Sequence, residues 1–424
     1  MDDSLSLLRP TSIVVDAPPE PPAEDTVVLE PVKRKMSALT TSLSLSSFKP
    51  SRSGGRSRGA TLVGLDIQPG YVSAVQARVN GSILVQRAAG APLPPDTVRE
   101  GEVLDGTALS DTLREMFRDS KLDKRVRVGV ANQRTVLRTL ELPPLTDRKE
   151  LATAVRFQAE DQVPMPLDNA VLDFHALGVI DTPAGPRQRV IVVAAQRDMV
   201  ERLLAAVRDA GLRPEGVDLS SFALIRSLHR ADEDHAGRVL YLNVGGLTNM
   251  AIAEGTVCRF TRVIGGGLES MAADVAERNS IKLTDARELL AAVDLDAQQT
   301  PAAPFSPEES VEMGLQEEQA SSGASQKPVI DVRPVLSSGV REIAGEVRNS
   351  LDFHRSQDGG GEVSSVVLSG PALQISGFAR ALQGELRVPL IPQTVGVLDE
   401  GSAGGVPAER LAVATGLAVE EAPR

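Results

Sequence analysis

VLYLNVGGLTNMAI, spanning Val239–Ile252, decides the fold: an apolar strand, a tight glycine turn and a second alternating strand. Gly245 and Gly246 let the backbone reverse sharply and leave its amide donors clear of side chains, as a loop that cradles phosphate requires. Alone, the same pattern is an ordinary two-residue β-hairpin. A second copy changes its meaning. VGLDIQPGYVSAV, Val63–Val75, overlays on it without a gap, with Asp66 opposite Asn243, Gln68 and Pro69 opposite Gly245 and Gly246, and Val75 opposite Ile252. A repeat at this separation predicts two similar half-domains, each presenting a hairpin to a ligand held between them.

Composition narrows the class. At 424 residues the chain is long enough for two or three domains. Apolar residues make up 42%, but aromatic residues only 3% with no Trp, so the cores are built from Leu, Val, Ala and Ile. Few aromatics and a net charge of −12 argue against nucleic acid as a partner. The single cysteine, Cys258, has no internal disulfide partner, and four scattered histidines form no metal cluster, which points to a cytosolic protein. No apolar run is long enough for a spanning helix, and the opening Met-Asp-Asp lacks the basic start of a signal peptide.

Along the chain, residues 1–59 read as a disordered tail rich in Pro, Ser and Gly, acidic up to Glu30 and basic from Lys33 to Arg58. Alternating strands begin at Ala60. Leu109, Leu113, Met116 and Phe117 recur at helical spacing, and RVRVGVA at Arg125–Ala131 alternates cleanly. Val136–Leu142 runs into Pro143-Pro144, which predicts the end of a sheet. Asp147, three residues before Glu150, predicts a helix start. The glycine run at Gly265, Gly266 and Gly267 precedes a helix and is an anion-site candidate. Residues 296–334 lose periodicity and collect prolines and acids, an exposed insertion. Later, Val363–Leu368 is a strand that runs into SGPALQISGF, where Ser369 and Gly370 begin a turn able to close a nucleotide site from the far side.

These segments, in this order, resemble the actin-like ATPase superfamily and, within it, the group holding the type IV pilus assembly PilM proteins and the division protein FtsA. VGLDIQPGYVSAV, EDQVPMPLDNAVLDFHAL at Glu160–Leu177, YLNVGGLTNMAI with FTRVIGGGLE, and REIAGEVRNSLDFH at Arg341–His354 with VVLSGPALQISGF carry the resemblance. It implies an α/β, two-lobed fold with a small α+β domain inserted in the first lobe. The expected boundaries are 60–142 and 219–237 for the first lobe, 143–218 for the insert, 238–283 and 363–424 for the second lobe, and 284–362 for a helical subdomain.

The resemblance also implies ATP and Mg²⁺ in the cleft, held by Asp66, Gln68, Gly70, Asn243, Gly245, Gly246, Thr248, Asn249, Gly265, Gly266, Gly267, Ser369 and Gly370, with Asp66 toward the metal. It further implies a scaffold at the inner face of the cytoplasmic membrane, attached through the N-terminal peptide of a PilN-like membrane protein. That peptide would sit in a groove between the first lobe and the insert, involving region 140–220. Pilus platform and motor proteins would be further partners, with homo-oligomerisation left open. Where such proteins usually read Asp-Ile-Gly-Ser-Ser, this chain has Gln68 and Pro69, and proline offers no amide hydrogen. Asn243 replaces a second carboxylate, and Pro371 stiffens the adenosine-side turn, which favours binding over turnover and names no catalytic residue. A small-molecule kinase or phosphatase of the superfamily, or an FtsA-like filament protein, are the alternative readings.

Overall fold

The computed structural model describes residues 62–80, 82–230, 237–296, 330–357, 359–399 and 401–420. The expected tail 1–59 and nearly all of the insertion 296–334 lie outside the described residues.

Val63–Gln68 (β1), Tyr71–Asn80 (β2) and Ser82–Pro92 (β3) form an antiparallel meander. A short pair, Val98–Arg99 (β4) and Glu102–Val103 (β5), leads to helix Gly106–Ser120 (α1). Asp105 caps α1 by accepting from the Ala108 amide at 2.9 Å. Arg125–Val130 (β6) then returns parallel to β1.

The chain next leaves the sheet. Val136–Leu142 (β7), Ala170–Thr182 (β8) and Gly185–Gln196 (β9) form a separate antiparallel sheet ordered β7-β9-β8. Arg148–Gln162 (α2) covers one face, burying Leu151, Val155 and Ala159 against Leu140, Val190 and Val192. Asp147 caps α2 by accepting from the amides of Lys149 and Glu150. The prolines at 143 and 144 therefore end a strand of the insert, not of the first lobe as the sequence suggests.

Arg197–Asp209 (α3), expected within the insert, packs on α1 through Leu203, Leu204 and Val207 in the first lobe's core. Arg213–Leu219 (β10) joins β6 in parallel, completing the order β10-β6-β1-β2-β3. The insert thus runs from β7 to β9, narrower at one end and wider at the other than the expected 143–218.

Helix Ser220–Leu228 (α4) leads to the second lobe. Arg238–Val244 (β11), Thr248–Glu254 (β12) and Val257–Ile264 (β13) repeat the antiparallel meander. Helices Leu268–Asn279 (α5), Leu283–Ala292 (α6) and Arg333–Ser356 (α7) follow. Ser365–Ser369 (β14) then runs parallel to β11 and, after helix Phe378–Leu386 (α8), Leu390–Pro392 (β15) runs parallel to β14. The order β13-β12-β11-β14-β15 matches β3-β2-β1-β6-β10 of the first sheet, which carries one further edge strand beside β3. Helix α7 buries Val335, Leu336, Val340, Ile343 and Val347 in the same core as Leu240 and Leu242, so it belongs to the second lobe's core and not to a separate subdomain.

The end of the chain departs from expectation. Gly396–Val397 (β16) pairs with β3, and Ala412–Ala418 (α9) lies on β1. With α4, α9 fills the layer between the sheets, packing Leu411, Val413 and Leu417 with Leu224, Tyr241 and Val367. The approach is close: a Cβ on Gly64 would stand 1.9 Å from the Ala414 carbonyl oxygen. Arg127 and Arg226 donate to the carbonyls of Leu417, Val419 and Gly416 at the C-terminus of α9. There they meet the negative end of the helix dipole. Buried Asp218 pairs with Arg226.

Candidate functional site: the interlobe cleft

The two hairpin turns meet tip to tip. Asp66 and Gln68 point to the same side of β1, away from the first lobe's core, because side chains alternate along a strand. Gln68 Nε2 donates to Asp66 Oδ2 at 2.7 Å. Its Oε1 accepts from the Gly246 amide of the opposite lobe at 3.2 Å. Asp66 is 4% exposed, and burial pushes its carboxyl up to about 7, against the smaller lowering effect of the Gln68 hydrogen bond. In the second turn Gly246 is required by backbone, whereas Gly245 is crowded only by the movable end of a side chain. A Cβ on Gly245 would stand 2.2 Å from Gln68 Oε1, and one on Gly246 2.2 Å from the Pro69 carbonyl oxygen.

Behind the second turn lies a polar row. Asn243 is in register with Asn249 on β12 and Ser369 on β14. All three are buried, and Asn243 Oδ1, both amide atoms of Asn249 and Ser369 Oγ have no hydrogen-bond partner among the described residues. Buried polar atoms are costly unless bonded, so this row is built for waters or a polar ligand. Thr248, one residue along β12, faces the opposite side, and its Oγ1 is likewise without a partner.

A cavity of about 340 Å³ opens where the turns meet. Asp66, Gln68, Gly70, Asn243 and Gly246 line it, as does Pro371. Apolar wall comes from Leu290, Ala291 and Ile375. The sequence reading missed the charged and aromatic wall of Tyr71, Glu269, Arg287 and Arg410. Arg287 binds both carboxylate oxygens of Glu269 and donates from Nη1 to the Leu93 carbonyl at 3.3 Å. Arg410 stacks over the Tyr71 ring, 4.3 Å from its centroid. Burial lowers the Arg410 pKa against the opposing pull of Tyr71 and Glu409, with Arg287 adding to the lowering, and no carboxylate lies within ion-pair distance of it among the described residues. A half-buried guanidinium with no ion-pair partner suits an anionic ligand, while Glu288 and Glu409 on the same wall oppose one.

Gly265, Gly266 and Gly267 do not line this cavity. The Leu268 amide donates to the Gly245 carbonyl at 2.8 Å, and Gly267 packs against the carbonyls of Gly245 and Gly246. The loop buttresses the hairpin from behind, while its glycines face a second cavity of about 290 Å³ between α5 and α7. Gly245, Thr248, Asn249, Ser369 and Gly370 also stand outside the lining. Gly370, at φ 102°, presses on the Val244 backbone and positions the turn that begins with Pro371.

These residues fit a nucleoside carrying phosphate: an apolar wall, an unpaired guanidinium and a buried carboxyl share one cavity. Asp66 is the carboxylate able to face a cation beside the hairpins, and no group of three or more His, Cys, Asp or Glu forms a metal cluster among the described residues. At the turn tips the fit stops, since the Gly246 amide is already engaged by Gln68.

Two sheets of matching order, hairpins meeting across a shared cleft and a small inserted sheet define a two-lobed actin-like ATPase fold. The chain belongs to the family of type IV pilus assembly protein PilM, whose family model matches residues 64–299. Among solved structures, it is similar to a "PilM-PilN type IV pilus biogenesis complex", with 25% identity, TM-score 0.66, and coverage of 85% of this chain and 98% of that one. It also matches the ethanolamine utilization protein EutJ from Carboxydothermus hydrogenoformans, with 15% identity, TM-score 0.44, and coverage of 84% and 88%. A third match is MreB5 of Spiroplasma citri bound to AMPPNP, with 11% identity, TM-score 0.42, and coverage of 84% and 94%. No helix among the described residues is long and apolar enough to cross a membrane.

Proposed function

We propose that this chain is a cytoplasmic scaffold of the type IV pilus assembly platform, holding the N-terminal peptide of a PilN-like membrane protein and a nucleotide in its interlobe cleft. The observation that carries the reading is the similarity to the PilM-PilN complex over 98% of that chain, together with family membership. The peptide groove is assigned to the region where the insert meets the first lobe, and the partner provides the attachment to the membrane.

A bound nucleotide would find Arg410 and the hairpin on the polar side of the cavity for its phosphates, and Leu290, Ala291 and Ile375 on the apolar side for its base or sugar. Mg²⁺, when bound, would neutralise phosphate oxygens and rest on the Asp66 carboxylate. The position opposite it holds the amide Asn243, so the second carboxylate that would anchor hydrated magnesium is missing. Weak or absent hydrolysis follows from that gap.

Calorimetric titration of the full chain with a synthetic PilN N-terminal peptide tests the scaffold reading. Saturable binding supports it, and no heat with or without added ATP–Mg²⁺ removes it.

A further inference from the structure

We propose that Gln68 is an internal stand-in for a terminal phosphate, so that the cleft selects a nucleoside diphosphate over a triphosphate. The inference rests on the nucleotide reading above and adds to it a specificity-determining residue.

Three observations converge on this side chain. Its Oε1 accepts from the Gly246 amide of the opposite hairpin at 3.2 Å. That donor belongs to the Gly-Gly turn whose bare backbone is suited to gripping phosphate. Its Nε2 is anchored on Asp66 at 2.7 Å, so the amide group is held from both ends. The space is filled as well as the donor, because Gln68 Oε1 lies 2.2 Å from a Cβ position on Gly245 and the Pro69 carbonyl 2.2 Å from one on Gly246.

The chemistry of exchange is unfavourable for a third phosphate. To reach the Gly246 amide, its oxygens must displace a carboxamide oxygen already bonded there. The neighbouring Pro69 offers no N–H in compensation. The displaced Gln68 would also leave Asp66, a buried carboxyl, without its hydrogen bond and facing an anion. A shorter phosphate chain avoids these losses and shares the cavity with the Arg410 guanidinium, which has no ion-pair partner among the described residues. Gln68 therefore joins the two turns without any nucleotide, in the place where a terminal phosphate would otherwise join them.

Isothermal titration of the full chain with ADP–Mg²⁺ and with ATP–Mg²⁺, on the native sequence and on Gln68→Gly, reads the effect. The expected result is at least tenfold tighter binding of ADP by the native chain, with the preference abolished in Gln68→Gly through a gain in ATP affinity. Equal native affinities, or an unchanged preference in the variant, overturn the proposal and leave nucleotide binding standing. Amide hydrogen exchange at Gly246 without nucleotide supplies a readout independent of affinity. Protection in the native chain that Gln68→Gly removes supports the latch even where neither nucleotide binds, in which case the nucleotide reading falls and the selectivity falls with it. Unchanged exchange overturns the latch. Gln68→Ala serves the same comparison should the glycine variant fail to fold.

Discussion

Arg287, on α6 of the second lobe, donates to the carbonyl oxygen of Leu93, in the first, across 3.3 Å. The same guanidinium is held in a two-point ion pair by Glu269 at the start of α5. One arginine thereby fixes a helix and bridges the cleft mouth. Arg287→Ala should cost about 1–2 kcal/mol of stability, because it removes charge-assisted hydrogen bonds and strands a half-buried carboxylate. Chemical denaturation gives the cost, and faster amide exchange around Leu93 and α6 locates it. An unchanged midpoint would mean the bridge contributes nothing.

Asp66 predicts a pH dependence of defined sign. Its folded-state pKa, about 7, stands above the ordinary aspartate value of 3.8, so between those values the folded chain binds a proton that the unfolded chain has lost. Its contribution is fully present below the unfolded value and disappears as pH rises toward 7. The shift corresponds to an upper limit of about 4 kcal/mol. Asp66→Asn should flatten this part of the stability profile and raise the melting temperature at pH 8. A native profile with no decline between pH 4 and 7 would refute the assignment.

Asn243→Asp restores a carboxylate in the second turn at the cost of burying it beside Asn249 and Ser369. Without cation the variant should lose about 1–3 kcal/mol of stability, the usual penalty of an unpaired buried polar group. With Mg²⁺ and nucleotide the loss should shrink, and new hydrolysis becomes measurable as phosphate release. Equal melting temperatures with and without Mg²⁺–nucleotide would show that the turn does not face a metal.

Breaking the Asp218–Arg226 pair has a larger expected effect. Both side chains are nearly inaccessible, at 3% and 4%, and Arg226 also holds the Gly416 carbonyl. Arg226→Ala leaves buried Asp218 without its ion-pair partner and with only the more distant Arg127 as counter-charge, a loss of about 3–5 kcal/mol. Urea denaturation should show it, while Arg226→Met with Asp218→Leu should recover most of it. A single variant within about 0.5 kcal/mol of native would contradict this account.

The two hairpins were legible because strand alternation and turn chemistry are local, and their repetition supplied the pairing of the lobes. Gln68 and Pro69 were visible as departures, yet only the folded chain shows Gln68 reaching the other lobe. Glu269, Arg287 and Arg410 left no signal, since a charged residue on a helix reads as solvated surface until tertiary packing turns it toward a cavity, and Tyr71 read as an ordinary residue of β2. The glycines at 265–267 misled for the opposite reason: a Gly run before a helix has the same local pattern whether it holds an anion or supports a neighbouring turn. The insert's edges were misplaced because strand alternation in β7 and helical spacing in α3 do not say which sheet or core an element joins.

The insert has a second apolar face. Ile191 and Val193 on β9 cluster with Leu219, and Phe222 of α4 and Val257 at the start of β13 pack against them. The chain itself ties the insert to the first lobe at both of its crossings, where Arg134 donates to Gln196 at 3.0 Å. Insert, first lobe and second lobe are therefore joined in pairs, as three bars of a triangle. A triangle has no hinge that opens alone. Displacing the insert from the first lobe would therefore also disturb the apolar contact it makes with Val257 of the second.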